Sequence, residues 1–297
     1  MGEIPAKLWT VQAILRWSEE FLCKKGVAAA KHDAEYLLAF ALGVERLELY
    51  LRFDQPLSTV ERQKYKTMLL RRAGREPLQY ITGEAWFMGE KYRAAPRVLI
   101  PRYDTETLVV TVLRQLAARP AVQQLVDIGT GSGVLPISIA KKTQLEKIYA
   151  LDISTDALAL AAENAARHGV ADKIEFLQSD LLTALIHRPA ENIFLISNPP
   201  YVTSEEYLNL EPEVKKHEPR QALVAEENGL SFYKKILAQS AILGEKLQGV
   251  FFEVGCTQSA AVSALLEKRF GVSAQTVRDI GGNARVVYTL LGGIFNA

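Results

Sequence analysis

Asn198, Pro199, Pro200 and Tyr201 follow directly on the segment Ile193 to Ser197, where a buried strand is expected to end. Asn-Pro alone is a common turn starter. The full tetrapeptide at a strand end is much rarer, and it suits chemistry on a planar NH2 group. An amide nitrogen is a poor nucleophile because its lone pair is delocalised into the carbonyl. The side-chain oxygen of Asn198 and a backbone carbonyl of the turn, that of Pro199, can each accept a hydrogen bond from such an NH2. Two acceptors orient the nitrogen toward an incoming electrophile and stabilise the positive charge that develops on it. The prolines fix φ and remove competing backbone donors. Tyr201 offers a flat face to a flat substrate group. No strong general base is required, because the N-substituted product loses its proton readily.

A second constellation is Asp127-Ile128-Gly129-Thr130-Gly131-Ser132-Gly133, placed where a strand over Leu125 to Ile128 turns into a helix over Val134 to Ala140. Open α/β sheets bind their ligands at such strand ends, and glycines let the backbone approach where any Cβ would intrude. A tight turn without ligand is the plainer reading of the glycines alone. Asp152 closes the next strand, about twenty residues on, where a carboxylate can accept from both hydroxyls of a ribose. Val134 occupies the place of the third dinucleotide glycine, so a pyrophosphate is disfavoured. Asp180 can accept from an adenine amino group with Leu181 beside the ring, or else cap the helix that follows.

The elements that must position these residues form an α/β doubly wound pattern. Short apolar runs at Leu125 to Ile128, Ile148 to Leu151, Ile174 to Leu177, Ile193 to Ile196 and Val250 to Val254 read as buried parallel strands. Ala274 to Arg278 and Arg285 to Leu290 are joined by a turn too short for a crossover and must run antiparallel. Ahead of the sheet, residues 1–83 read as a small helical domain. Its helices run from Thr10, from Asp33 to a stop at Gly43, and from a Ser58/Glu61 capping box to Gly74. Residues 84–100 are expected to form a β-hairpin linker around Met88 and Gly89, and residues 101–297 the Rossmann-like domain. With 35 basic and 34 acidic residues, no global field attracts a polyanion. Cys23 and Cys256 are expected as buried or half-buried free thiols without metal-ligand spacing. The N-terminus shows no apolar signal region and no run is long enough to span a membrane, which points to the cytoplasm.

Taken with further matches, the chain resembles the HemK/PrmC protein-(glutamine-N5) methyltransferases over nearly its whole length. The resemblance is carried by Gly74-Arg75-Glu76-Pro77 with Tyr80 and Gly83, Leu99-Ile100-Pro101-Arg102, the glycine loop and Asn198 to Tyr201. It continues in Glu218-Pro219 with Ala222-Leu223, Gly229-Leu230, Phe252-Glu253-Val254-Gly255 with Gln258, and Arg278-Asp279 with Arg285-Val286-Val287. Tyr103 departs from it, standing where that family usually has a second proline. The resemblance implies a class I S-adenosyl-L-methionine-dependent methyltransferase fold, a mostly parallel seven-stranded sheet with an antiparallel C-terminal strand, preceded by the helical domain as substrate-recognition unit. It implies methyl transfer to the glutamine of the Gly-Gly-Gln loop of class I peptide-chain release factors. It places Gly129, Thr130, Gly131, Ser132, Gly133, Asp152, Asp180, Leu181 and Asn198 on the cofactor, and Asn198, Pro199, Pro200 and Tyr201 on the glutamine. A glutamine of a ribosomal protein and the exocyclic amino group of adenine in DNA are the alternative substrates. A non-catalytic binding protein of the same fold would have no need of the glycine loop, Asp152 and Asn198 together. Arg102 and Glu106 are open between the cofactor side and structure, with structure ahead.

Overall fold

The computed structural model describes residues 9–188 and 191–291, which divide into two compact units. The first comprises residues up to Gly83 together with Glu211–His217. Its helices are Val11–Lys24, Ala30–Leu42, Glu48–Leu51, Thr59–Ala73 and Leu78–Thr82. Thr10 caps the first through its hydroxyl, Gly43 ends the second in the left-handed conformation, and Ser58 and Glu61 form the capping box of the fourth. Leu22, Leu37, Leu38, Leu49 and Tyr65 are fully buried between them, each worth roughly 1.5 to 3 kcal/mol against exposure.

The helix Pro212–His217 was expected within the second domain but packs with the first unit. The reason is electrostatic. Arg72, almost fully buried, donates to Asp33 at 2.7 Å and to Glu213 at 2.8 Å, and Arg75 donates to Glu213 at 2.5 Å, to Glu211 at 3.3 Å and to the carbonyl of Gly26. Burial pushes the Glu213 carboxyl up, but the two guanidinium groups outweigh it and hold it below the usual carboxylate range. Removing one member of such a cluster leaves an uncompensated buried charge.

In the second unit, β1 (Glu84–Phe87) and β2 (Glu90–Arg93) form an antiparallel hairpin whose two-residue turn, Met88 and Gly89, has positive φ at both positions. The hairpin is not a free linker. Phe87 and Tyr92 are buried in the core of this unit, and the Tyr92 hydroxyl bonds that of Ser138 at 3.0 Å. The remaining strands are β3 (Gln124–Ile128), β4 (Lys147–Asp152), β5 (Ile174–Gln178), β6 (Ile193–Ser197), β7 (Leu247–Glu253), β8 (Gln275–Arg278) and β9 (Ala284–Leu290). Among the described residues they make one seven-stranded sheet in the order β5-β4-β3-β6-β7-β9-β8, with β9 antiparallel to both neighbours and the other pairs parallel. β9 takes the interior place because Val286, Val287 and Tyr288 can be buried on both faces, whereas β8 is largely exposed and serves as the edge.

Helices cover the two faces over separate apolar clusters. Those at Glu106–Ala118, Ser231–Gln239 and Ser259–Phe270 were not assigned from sequence. Cys23 and Cys256 are free thiols, but exposed rather than buried. Cys23 follows the buried Leu22 on the outer side of its helix, and Cys256 lies in the turn after β7. The order in which strands are added reverses at β3, with β4 and β5 on one side and β6 on the other, so the crevice of the sheet opens at the carboxyl ends of β3 and β6.

Candidate active site

The register brings the two motifs together. Ile128 at the end of β3 pairs with Leu151 on one side and Ser197 on the other, so the glycine loop, Asp152 and Asn198 leave the sheet at one level. The Ser197 hydroxyl donates to the Ile128 carbonyl at 2.7 Å, and the amides of Gly129 and Thr130 donate to the Leu151 carbonyl at 2.8 and 3.0 Å. Above this edge lies a cavity of about 270 Å³ lined by Gly129, Gly131, Asp152, Asp180, Leu181, Asn198, Pro199 and Pro200 among others.

Gly129 and Gly131 have positive φ, and a Cβ on either would stand in open space. The other loop residues turn away. Thr130 and Ser132 are buried, and the Ser132 carbonyl accepts from Asn164 at 2.9 Å. A Cβ on Gly133 would come within 2.9 Å of that of Ala161, so this glycine lets two helices approach instead of facing the cavity. Of the five loop residues, Gly129 and Gly131 line the cavity, while Thr130, Ser132 and Gly133 stand behind them.

Asp152 is braced from below: Oδ2 accepts from the Gly131 amide and Oδ1 from the Ser154 amide, both at 2.9 Å. Burial raises its pKa in spite of these bonds. Each carboxylate oxygen retains a second lone pair for a ligand. Asp180 is exposed at the cavity and does not cap the next turn. Ser179 does so, its hydroxyl accepting from the Ala184 amide at 3.1 Å and donating to the Leu181 carbonyl at 2.7 Å. Leu181 holds a positive φ of 52°, a conformation disfavoured for its type and found where the surroundings fix it.

The amide nitrogen of Asn198 donates to Thr105 Oγ1 at 3.1 Å, which leaves its carbonyl oxygen as a free acceptor among the described residues. Pro199 and Pro200 line the cavity, but Tyr201 does not. Its hydroxyl donates to Glu253 Oε1 at 3.3 Å, and its carbonyl accepts from Gln258 Nε2 at 2.9 Å. Gln258 also accepts from the Gly255 amide at 3.1 Å and reaches the Asn228 carbonyl at 3.3 Å. The turn is therefore held from three directions.

Arg102 and Glu106 are placed as structural groups. Arg102 donates to Glu218 at 2.6 Å, Glu218 also accepts from the Ile100 amide at 3.1 Å, and Glu106 accepts from the Met88 amide at 2.6 Å. Asp127, fully buried, has no well-formed hydrogen bond to either carboxylate oxygen among the described residues, and burial pushes it up to about 7 although the neighbouring Thr130 side chain draws it down.

Residues 13–83 match the family described as PrmC N-terminal domain, and residues 103–216 match Methyltransferase small domain. A release factor glutamine methyltransferase of Geobacter sulfurreducens is 35% identical over 98% of this chain and 100% of its own length. The chain belongs to the release factor glutamine methyltransferase family. A Bacillus subtilis relative of that name is 33% identical over 95% of this chain and 98% of its own. The hMettl16 catalytic domain, solved with a MAT2A 3'UTR hairpin, superposes with a TM-score of 0.54 at 16% identity over 79% of this chain and 82% of that one. That likeness shows the class I methyltransferase fold. For this family member the sequence reading missed much of the cavity wall, including Arg97, Ile153, Phe232 and Ile236, and the supports Thr105 and Gln258 beneath it. Gln258 and Glu253 were visible only as parts of the resemblance.

Proposed function

We propose that this chain transfers a methyl group from S-adenosylmethionine to the side-chain amide nitrogen (N5) of the glutamine in the Gly-Gly-Gln motif of class I peptide-chain release factors. The observation that carries the reading is Asn198, its own amide nitrogen tied to Thr105 and its oxygen left as acceptor in a cavity shared with Asp152. Full-length relatives bearing the release factor name support it and favour neither the ribosomal nor the DNA alternative.

The residues present fit the cofactor. The open space over Gly129 and Gly131 admits a ligand against bare backbone, and Asp152 offers two braced oxygens to ribose hydroxyls. Asp180 and Leu181 are placed for the amino edge and face of an adenine, with Ile153 exposed at the same rim. Bound there, S-adenosylmethionine supplies an electrophilic methyl group. Asn198 Oδ1 and the Pro199 carbonyl accept from the two hydrogens of the substrate NH2, hold its lone pair on the reaction axis and stabilise the charge that forms on nitrogen. The helical unit serves as the docking element, supported by the solvent-exposed Trp17, Leu47, Leu51 and Val60 on its surface. No helix among the described residues is long and apolar enough to cross a membrane.

Replacing Asp152 with alanine removes two charge-assisted bonds to the ribose and the brace on the Gly131 amide. Cofactor affinity is expected to fall about 100-fold, some 3 kcal/mol. Equal calorimetric affinity in variant and parent would remove Asp152 from the site. The substrate assignment is tested by mass spectrometry of a release factor incubated with enzyme and cofactor. One added methyl is expected on the loop glutamine, with none after that glutamine is replaced. Methyl found instead on duplex adenine, or only on a ribosomal protein, overturns the assignment.

A further inference from the structure

Glu253 ends β7 directly beneath the catalytic turn, with 1% of its surface exposed. The groups facing it come from four elements. Tyr201 donates to Oε1, and Tyr233, from the helix Ser231–Gln239, donates to the Glu253 main-chain carbonyl at 2.8 Å. Arg285 of β9 contributes positive charge nearby, and Asp104 and Thr105 approach from the turn Tyr103–Thr105. Arg285 does not pair with Glu253. Its guanidinium is committed to Asp104 at 2.9 Å, Asp279 at 3.2 Å and the Val254 carbonyl at 3.4 Å. Oε2 of Glu253 receives no well-formed hydrogen bond among the described residues, a costly condition for a buried carboxylate.

Thr105 approaches this carboxyl without forming a hydrogen bond to Oε2 among the described residues. Its oxygen accepts from Asn198 Nδ2, and its side chain lies beside the Glu253 carboxyl. A hydroxyl carries one proton. With its oxygen engaged by Asn198, Thr105 has that proton to give, and the Glu253 carboxylate is the acceptor next to it.

We propose that Glu253 is a positioning residue: as a carboxylate it accepts from the Thr105 hydroxyl, Thr105 accepts from the Asn198 amide nitrogen, and Asn198 is held with its carbonyl oxygen toward the reacting nitrogen. The polarity of the chain matters because Asn can present either end of its amide. A protonated Glu253 offers Thr105 a donor, the Thr105 proton turns toward Asn198, and the amide reverses. Its NH2 then faces the NH2 of the substrate, donor against donor. Burial pushes Glu253 up to about 7, with Thr105 and Arg285 drawing it down. The relay is therefore formed above neutral pH and lost as pH falls through that value. The catalytic consequence rests on the proposed glutamine methylation, whereas the orientation of Asn198 does not.

The test uses the full-length protein labelled with 15N, the Asn198 side-chain amide signals being assigned by their disappearance in Asn198→Asp. In the parent these signals are expected to titrate with a midpoint near 7. The titration should vanish in Glu253→Gln and in Thr105→Val and return in Thr105→Ser. Release factor methylation should show the same pH dependence in kcat, and both Glu253→Gln and Thr105→Val should lower kcat about tenfold with cofactor affinity unchanged. Should Glu253→Gln not fold, the two Thr105 variants decide on the same readouts. Asn198 signals that do not titrate, or that titrate identically in these variants, overturn the relay. An intact titration in a protein that leaves release factors unmethylated retains the relay and removes the proposed function instead.

Discussion

Asn198→Ala is expected to lower the single-turnover rate of methyl transfer by roughly 100- to 1000-fold, the range seen when one preorganised polar partner of a transition state is deleted. Cofactor affinity should change less than about threefold, because the contacts proposed for ribose and adenine lie elsewhere in the cavity, at Asp152 and the rim around Asp180 and Leu181. The split follows from the hydrogen bond to Thr105, which leaves Asn198 Oδ1 available to the reacting nitrogen. A variant that keeps near-parental single-turnover rates would show that the acceptor mechanism is wrong. A variant that loses cofactor binding in proportion would move Asn198 from the chemistry to the cofactor.

The second large effect is expected at a residue that touches no ligand. Gly229 has φ +81°, and a Cβ there would stand 2.2 Å from Gln258 Nε2 and 2.3 Å from the Tyr201 carbonyl oxygen. Gly229→Ala must therefore push the catalytic turn or the Gln258 side chain that clamps it. The left-handed backbone alone costs an alanine about 1 to 2 kcal/mol. A displacement of about 1 Å at a catalytic group can remove a further 100-fold in rate. Gly43→Ala provides the control, since it has a similar φ of +69° with nothing within 4 Å of the added carbon. Thermal melts should show a loss from backbone strain in both variants and a larger one in Gly229→Ala, whose neighbours must shift, with the large loss of single-turnover rate confined to Gly229→Ala. A Gly229→Ala protein that is folded and fully active would mean that the turn is not held as described.

These two residues also mark what the sequence could and could not reveal. Gly129, Asp152 and Asn198 announce themselves because a parallel sheet gathers its strand ends at one edge, and each sits next to an apolar run that marks its strand. Thr105 has no such marker. It lies 93 positions from Asn198, in a turn whose local pattern says nothing about the bond it makes. Phe232 and Ile236 are ordinary helical apolar residues until the fold brings them to the cavity. Within the glycine loop the sequence does not separate the residues that line the cavity, Gly129 and Gly131, from Thr130, Ser132 and Gly133 behind them, because a tight turn alternates the two. The hairpin β1-β2 was legible as a hairpin, but its packing depends on Phe87 and Tyr92 meeting distant core residues.

The salt-bridge cluster of the helical unit bears on the order in which the protein can be completed as it leaves the ribosome. Domains near an N-terminus generally fold first, as units, during synthesis. Here Arg72 and Arg75 contact Glu213 across 141 and 138 positions, so the helices up to Gly83 emerge with part of their ion pairing still to be synthesised. Arg72 can meet Asp33 at once, but the carboxylate it shares with Arg75 arrives only after the glycine loop, four strands of the sheet and the Asn198 turn have been made. The nascent helical unit therefore waits in an incompletely neutralised form, and its last piece is delivered by the same stretch of chain that has just laid down the catalytic turn.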